Sequence, residues 1–333
     1  MINAATIPAE RLRFTTRLIR DQALKRSWKV WLYYEYSSQL RLERPDGTQL
    51  EVYSATPSTT SYVAALRADD KFFTHVALQA AGLPLPKTYV VGSLAQATPI
   101  VRQFVAAGKQ YVIKPLNEGH GNGVSVELET LEHLPLAFAY AQEYSEDVII
   151  QEQVQQPTDL RIVCINGKCV AGLVRIPARV LGDGIHTVTE LIETENRSDR
   201  RGQNYTKELN IINKTRAELY VGDKLKYVPK KGEWFQVLGT ANVGTGGETV
   251  DVTDELPQWL KDMAVKAAKV MELPVCGVDF LLGDMPKITH TSQTLPVKII
   301  EINKTPALFM HETPTYGMPR PVVSAYLDYL ETL

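Results

Sequence analysis

Gln110-Tyr111-Val112-Ile113-Lys114-Pro115, Leu116-Asn117-Glu118, Gly119-His120-Gly121-Asn122-Gly123, Val124-Ser125-Val126-Glu127-Leu128: this stretch reads as a β-strand, a glycine-rich loop and a second strand. The order decides the fold class. Dinucleotide-binding and P-loop motifs run strand, loop, helix, so a strand on the far side of the glycines disfavours both. A plain hairpin turn remains the alternative reading of the same letters.

Working upstream, a strand is expected over 88–91 and a helix over 96–107. Before them a helix over 63–81 carries Leu66, Phe73, Val76, Ala77 and Ala80 at helical spacing, stops at Gly82, and holds Lys71. The first 60 residues suggest a small α/β lobe: a helix over 8–26, a strand over 29–34 and a hairpin through 44–48. Downstream come a strand over 148–154 and a hairpin over 161–174 turning at Asn166-Gly167, which sets Cys164 opposite Cys169. Residues 196–236 are polar and read as an insertion with short helices and a small hairpin. A second flexible loop, 242–247, precedes a helix over 256–272, capped by Thr253 or Asp254 and apolar along Leu256, Leu260, Met263, Ala267 and Met271. Strands over 277–282 and 297–302 and a last helix opened by Pro321 complete an α/β (α+β) chain.

With 333 residues the chain is long enough for two or three packed units. A net charge of −2 and a pI near 6.3 supply no field for nucleic acid. The apolar stretches are short and broken by charge, so neither a membrane span nor a signal peptide is expected, and a cytoplasmic protein is. Three cysteines exclude a disulfide framework or a four-cysteine metal site and are read as small packing residues.

Chemistry concentrates near the end. Glu301-x-Asn303 puts both side chains on one face of a strand, and Asp279 ends the strand before it. Two carboxylates and an amide are a sparse all-oxygen set, suited to a hard Mg²⁺ that takes its other ligands from phosphate and water; solvated strand-end acids are the plainer reading.

Ile113-Lys114-Pro115, the Gly119–Val124 loop, Glu152 and Glu301-Ile302-Asn303-Lys304-Thr305-Pro306 resemble, in order, the nucleotide-site motifs of ATP-grasp ligases. Arg175-Ile176-Pro177-Ala178, 181–188, Asn196, Arg200-Arg201-Gly202, 245–251, Thr253-Asp254 and 316–322 are similar to the ATP-grasp part of cyanophycin synthetases and to the ligase half of the bifunctional glutamate-cysteine ligase and glutathione synthetases. The similarity runs from about Ser61 to Val323. It includes neither the Mur-ligase-like domain of the first group nor the glutamate-cysteine ligase domain of the second, so neither full activity is expected.

The resemblance implies an ATP-grasp fold: an N-terminal α/β lobe (1–92), a glycine-loop lid subdomain (93–155) and a C-terminal metal-binding subdomain (156–333). It places Lys114 and Lys71 on the ATP phosphates, although Lys71 also reads as a helix-surface lysine. Gly119, His120, Gly121, Gly123 and Val124 would cover the phosphates through backbone amides. Gln151, Glu152 and Val154 fall at the adenine and ribose segment, where Glu152 also reads as a strand-end acid. Arg175 is expected on the γ-phosphate and acyl-phosphate, helped by Arg161. Asp279, Glu301 and Asn303 would hold Mg²⁺, two ions being expected with Mn²⁺ a substitute. Gly277 stands where D-alanine ligases carry an oxyanion arginine, so a backbone amide near Ala307 is the expected replacement. Arg200, Arg201, His311 and Arg320 are candidates for substrate contact, with packing or helix capping as the alternative. The implied activity joins a carboxylate to the amine of an amino acid or peptide in a homo-oligomeric enzyme. The alternatives are an ATP-binding regulatory subunit and a ligase acting on a larger partner.

Overall fold

The computed structural model describes residues 1–117, 122–154, 158–283 and 297–333; Gly119, His120 and Gly121 lie outside the described residues. The N-terminal lobe is a five-stranded antiparallel sheet, β1 (Ile2–Asn3), β2 (Lys29–Leu32), β3 (Gln39–Glu43), β4 (Gln49–Tyr53) and β5 (Thr56–Pro57), in that order. Val30, Leu32, Leu40, Leu42 and Val52 alternate inward against helix α1 (Phe14–Lys25). The helix expected over 8–26 is shorter, because Leu12 and Arg13 are extended and Leu12 is buried in this core.

The helix expected over 63–81 is two, α2 (Tyr62–Asp69) and α3 (Lys71–Ala80). Asp70 is extended, and its carboxylate accepts from the backbone of Phe72 and Phe73 at 2.9 and 2.8 Å, an N-cap that starts a new helix at Lys71. The break turns the expected inner stripe outward: Leu66, Phe73 and Val76 are exposed, while Ala64, Ala68, Thr74, His75 and Leu78 are buried.

A second sheet has the order β6 (Thr88–Val91), β9 (Val148–Glu152), β7 (Tyr111–Pro115), β8 (Ser125–Leu128). Tyr111, Ile113, Val148 and Ile150 pack on α4 (Leu94–Ala106) and α5 (Leu134–Gln142). The opposite face carries Val112, Lys114, Ile149 and Gln151, paired across β7 and β9.

The third, central sheet is antiparallel throughout: β16 (Glu248–Asp251), β11 (Lys168–Ile176), β10 (Thr158–Ile165), β17 (Val275–Leu282), β18 (Val297–Asn303). Asn166 and Gly167, both at positive φ, turn β10 into β11. Cys164 pairs in register with both Cys169 and Cys276, and all three thiols are free. One face, through Leu160, Ile162, Val278 and Phe280, packs on α8 (Gln258–Val270). Helix α8 is capped by neither Thr253 nor Asp254: Pro257 occupies the cap, Thr253 bonds Gly172 and Asp251, and Asp254 pairs with Arg320. The other face is apolar at one end, where Val163, Ile165 and Ala171 meet the N-terminal lobe and α10 (Val322–Glu331). Its other end is charged.

The polar stretch 196–236 folds around a core of its own that also draws Ala178, Val180, Val188, Leu191 and Ile192 from before it and Val237 and Leu238 from after it. The one-turn helix α9 (Phe309–Glu312) closes the central sheet beside α1.

Candidate active site

The antiparallel register explains the charged end. Arg161 of β10 stands opposite Asp279 of β17, which stands opposite Glu301 of β18; Asp159 stands opposite Arg175 of β11. Cross-strand partners share a face, so these side chains converge. The Arg161 guanidinium forks onto Asp279, Nε to Oδ1 and Nη2 to Oδ2, both at 2.6 Å. Arg175 donates to Asp159 at 2.6 Å and lies 3.2 Å from Asp279 Oδ2, to which Asn303 Nδ2 donates at 3.1 Å. Burial pushes the Asp279 carboxyl up, but Arg161 and Arg175 outweigh it and hold it below its ordinary range. Asp159 goes the other way, burial exceeding the pull of Arg175. Arg175 is itself buried, yet Asp279 and Asp159 raise it, so it stays charged.

Glu301 is half-buried and has no hydrogen-bond partner among the described residues. No three His, Cys, Asp or Glu side chains converge among the described residues, so the donor set is the two carboxylates and the Asn303 amide. That set fits a Mg²⁺ ion bound chiefly through nucleotide phosphates, with Glu301 the carboxylate left open to it.

Next to Glu301 is a narrow cleft between α3, the second sheet and β18, lined by Lys71, His75, Leu85, Lys114, Gln151 and Ile299. Lys114 Nζ donates to Gln151 Oε1 at 2.9 Å, and Gln151 Nε2 donates to Thr88 at 2.8 Å, which orients the amide toward the lysine. Burial pushes the Lys114 ammonium down to about 8, Glu301 opposing and Lys71 adding. Lys71 reaches the Leu116 carbonyl at 3.3 Å from the first turn of α3. The helix-surface reading of Lys71 is therefore corrected: the Asp70 cap aims it into the cleft.

Glu152 is one residue out of phase with Gln151, so its side chain lies on the helix side of the sheet and pairs with Lys109. A roomier hollow of about 600 Å³ beside that pair holds none of the cluster residues. Val154 follows β9. Gly123 sits at φ +67°, and a Cβ there would come within 2.8 Å of Tyr144 and 3.1 Å of Pro115, so the loop exit requires glycine; Val124 follows it into β8.

The substrate candidates divide. The Arg320 fork is held by Asp251 and Asp254, with contacts from 2.5 to 3.1 Å. Arg201 is buried, donating to the carbonyls of Asn210 and Gly246, and Arg200 pairs with Glu208. These three guanidinium groups are paired within the protein. His311 differs: it is 2% exposed and neither ring nitrogen has a partner among the described residues. Burial, with Arg161 close by, pushes it down to about 3 and keeps it neutral.

Sequence reasoning passed over Asp159, although Asp159-x-Arg161 alternates like Glu301-x-Asn303. Gly277 lies beside Arg161 of the neighbouring strand, 3.4 Å from its Cδ to the place of a Cβ, an ordinary contact distance.

A four-stranded sheet that points Lys114 toward Glu301, beside an antiparallel sheet bearing arginines, carboxylates and an amide, is the arrangement of the ATP-grasp fold. The chain has the ATP-grasp fold, and the family model for the ATP-grasp domain of prokaryotic glutathione synthetase matches residues 81–183. The chain is 31% identical over 331 residues to a glutathione biosynthesis bifunctional protein of Listeria innocua, covering 97% of this chain and 42% of that one. It is 34% identical over 267 residues to a cyanophycin synthetase of Nostoc sp., covering 79% and 29%. A bifunctional glutathione synthetase from Pasteurella multocida superposes with a TM-score of 0.71 at 25% identity, over 98% of this chain and 44% of that one. The chain spans less than half the length of each.

Proposed function

We propose that the protein is an ATP-dependent carboxylate–amine ligase that joins amino-acid or peptide substrates and releases ADP and phosphate. The carrying observation is that Glu301, which stands in register with Asp279 and through it with Arg161, lies within electrostatic reach of Lys114, beside Lys71 in the cleft. In the reaction a substrate carboxylate oxygen bonds to the γ-phosphorus of ATP as the bond to the ADP oxygen breaks, leaving an acyl-phosphate. The amine nitrogen then bonds to the acyl carbon, phosphate leaves with the electrons of the C–O bond, and the ammonium proton goes to phosphate or water.

The chain's own residues bind and orient. Lys114 and Lys71 hold phosphate oxygens by point charge. Arg175 and Arg161 spread positive charge over the oxygens that gain it, anchored by Asp159 and Asp279 so that they need no reorganisation. Asp279, Glu301 and Asn303 would hold Mg²⁺, two ions or Mn²⁺ in its place, and the metal supplies charge neutralisation at the phosphates when bound.

The test is Mg²⁺-dependent phosphate release from ATP by the purified protein over a matrix of amino acids and dipeptides, with mass spectrometry of each positive well. Release that requires two partners and gives a condensed product supports the reading. Tight ATP binding with no release in any well would replace it by a regulatory role or a larger acceptor.

A further inference from the structure

Three elements that share no sequence motif meet beside Arg161. Helix α1 enters through Arg13, whose side chain makes no cap bond, and Phe14 N donates to the Tyr205 carbonyl at 2.8 Å. The Phe309 ring of α9 lies 5.4 Å from Phe14 and 6.2 Å from Tyr205, so an aromatic cluster fixes α1, the inserted unit and α9 together. Two residues past Phe309 is His311.

The polar groups carried by that cluster lack partners. Arg13 is exposed and makes no ion pair among the described residues. The Tyr205 hydroxyl makes no hydrogen bond among the described residues and abuts Gly244, where a Cβ would come within 2.2 Å of it. It lies within electrostatic reach of both Arg161 and Arg13. His311 is buried with both nitrogens unpaired among the described residues, within reach of Arg161 and Asp251. A buried imidazole without partners costs stability, and a native protein retains such a group where something else satisfies it.

The backbone around Tyr205 is held at a cost as well. Asn204 and Tyr205 sit consecutively at φ +56° and +58°, a conformation non-glycine residues avoid. It is kept by the Asn210 side chain, which accepts from Tyr205 N at 3.0 Å and donates to the Gly244 carbonyl at 2.9 Å. Strain of this kind, over-determined by its surroundings, marks positions whose side-chain direction matters.

We propose that Arg13, Tyr205 and His311 form a subsite beside Arg161 that holds a carboxylate of the substrate other than the one being activated. This rests on the ligase reading and narrows it to amino-acid or peptide substrates bearing a second anionic group. An exposed arginine, a phenol donor and a neutral imidazole next to a fixed guanidinium are a cationic, donor-rich set; the arginine supplies the charge that an amide or ester would not use.

The experiment uses the full chain and a panel of amino acids and dipeptides, each as the free acid and as its C-terminal carboxamide, with aspartate and glutamate set against asparagine and glutamine. Phosphate release and ligand-induced thermal upshift are both read. Wild type is expected to favour acids through KM, by about tenfold or more, the scale of one charge-assisted hydrogen bond. Arg13→Gln should bring the acid-to-amide ratio close to one, Arg13→Lys should retain much of it, and Tyr205→Phe should raise KM for acids severalfold, with KM for ATP unchanged in all three. Equal turnover of acids and amides by wild type overturns the subsite and leaves the ligase reading standing. No turnover, with an acid-specific thermal upshift that Arg13→Gln abolishes, supports the subsite and overturns the ligase reading. No acid-specific upshift and no acid preference overturns the subsite.

Discussion

Asp279 and Glu301 are both acidic and face each other across two strands, but they stand in different electrostatic company, and that separates what their loss does. Asp279 neutralises the buried Arg161 fork, so Asp279→Asn should cost about 3–5 kcal/mol by stranding a buried cation, and it should also abolish turnover. Glu301 makes no ion pair or hydrogen bond among the described residues and acts on Lys114 only at longer range. Glu301→Gln should abolish turnover while unfolding stability in urea stays within about 0.5 kcal/mol of wild type, the range for a substitution that leaves no buried group unpaired. Wild-type turnover by Glu301→Gln at the same Mg²⁺ concentration would remove it from the metal set. Lys114 makes a pH prediction. Its ordinary value of 10.5 falls to about 8 in the folded protein. Across that interval the unfolded chain holds a proton the folded chain has lost, so this group's contribution to stability rises with pH between about 8 and 10.5 and is fully unfavourable below about 8. A phosphate beside the amine favours its charged form, so ATP binding at about pH 9 should take up a proton, read by calorimetry in buffers of different ionisation enthalpy. Lys114→Met should abolish the uptake and weaken ATP binding by about tenfold or more.

At the scale of elements, the strands were legible and the helix boundaries less so. Period-two alternation and a Glu301-x-Asn303 spacing survive any tertiary context, because a one-residue slip would invert every face of β17 and β18. The break at Asp70 was hidden because aspartate is tolerated inside a helix and Leu66, Phe73 and Val76 keep an apolar period across it. Only packing shows that the chain turns there, burying Ala64, Thr74, His75 and Leu78 instead. The cap matters for function because it starts α3 at Lys71. Asp70→Ala should cost about 0.5–2 kcal/mol, with Asp70→Asn close to wild type. The alanine variant should also raise KM for ATP, since Lys71 would lose its fixed place on the first turn. An unchanged KM alongside the stability loss would detach Lys71 from the nucleotide.

At the scale of the molecule, motif spacing picked out Lys114, Asp279 and Glu301 but not Arg13 and Tyr205, which the N-terminal lobe and the inserted unit bring near Arg161. Arg13 and Tyr205 are distant in sequence and meet only because Phe14, Phe309 and Tyr205 pack together, a contact that no periodicity encodes. The two parts differ in how they are attached. Leu32, Leu40 and Leu42 of the lobe share one core with Val163, Ile165 and Ala171 of the central sheet and Tyr326 of α10, so the lobe and sheet should melt as one unit. The inserted unit has its own core, and its flanks Ile176 and Glu248 are cross-strand partners on β11 and β16. Replacing residues 177–247 by an Asn-Gly turn therefore closes a two-residue hairpin on strands already in register. The shortened protein should remain soluble and melt cooperatively, weakened by the loss of Val243 and Tyr205 from the packing around Phe14. It should bind ATP within severalfold of wild type, because Lys71, Lys114, Gln151, Asp279 and Glu301 all lie outside the excised stretch, while KM for acidic substrates rises at least as much as in Tyr205→Phe. Loss of ATP binding in a variant that still melts cooperatively would show that the inserted unit reaches the nucleotide, and would move its role from choosing the substrate to building the ATP site.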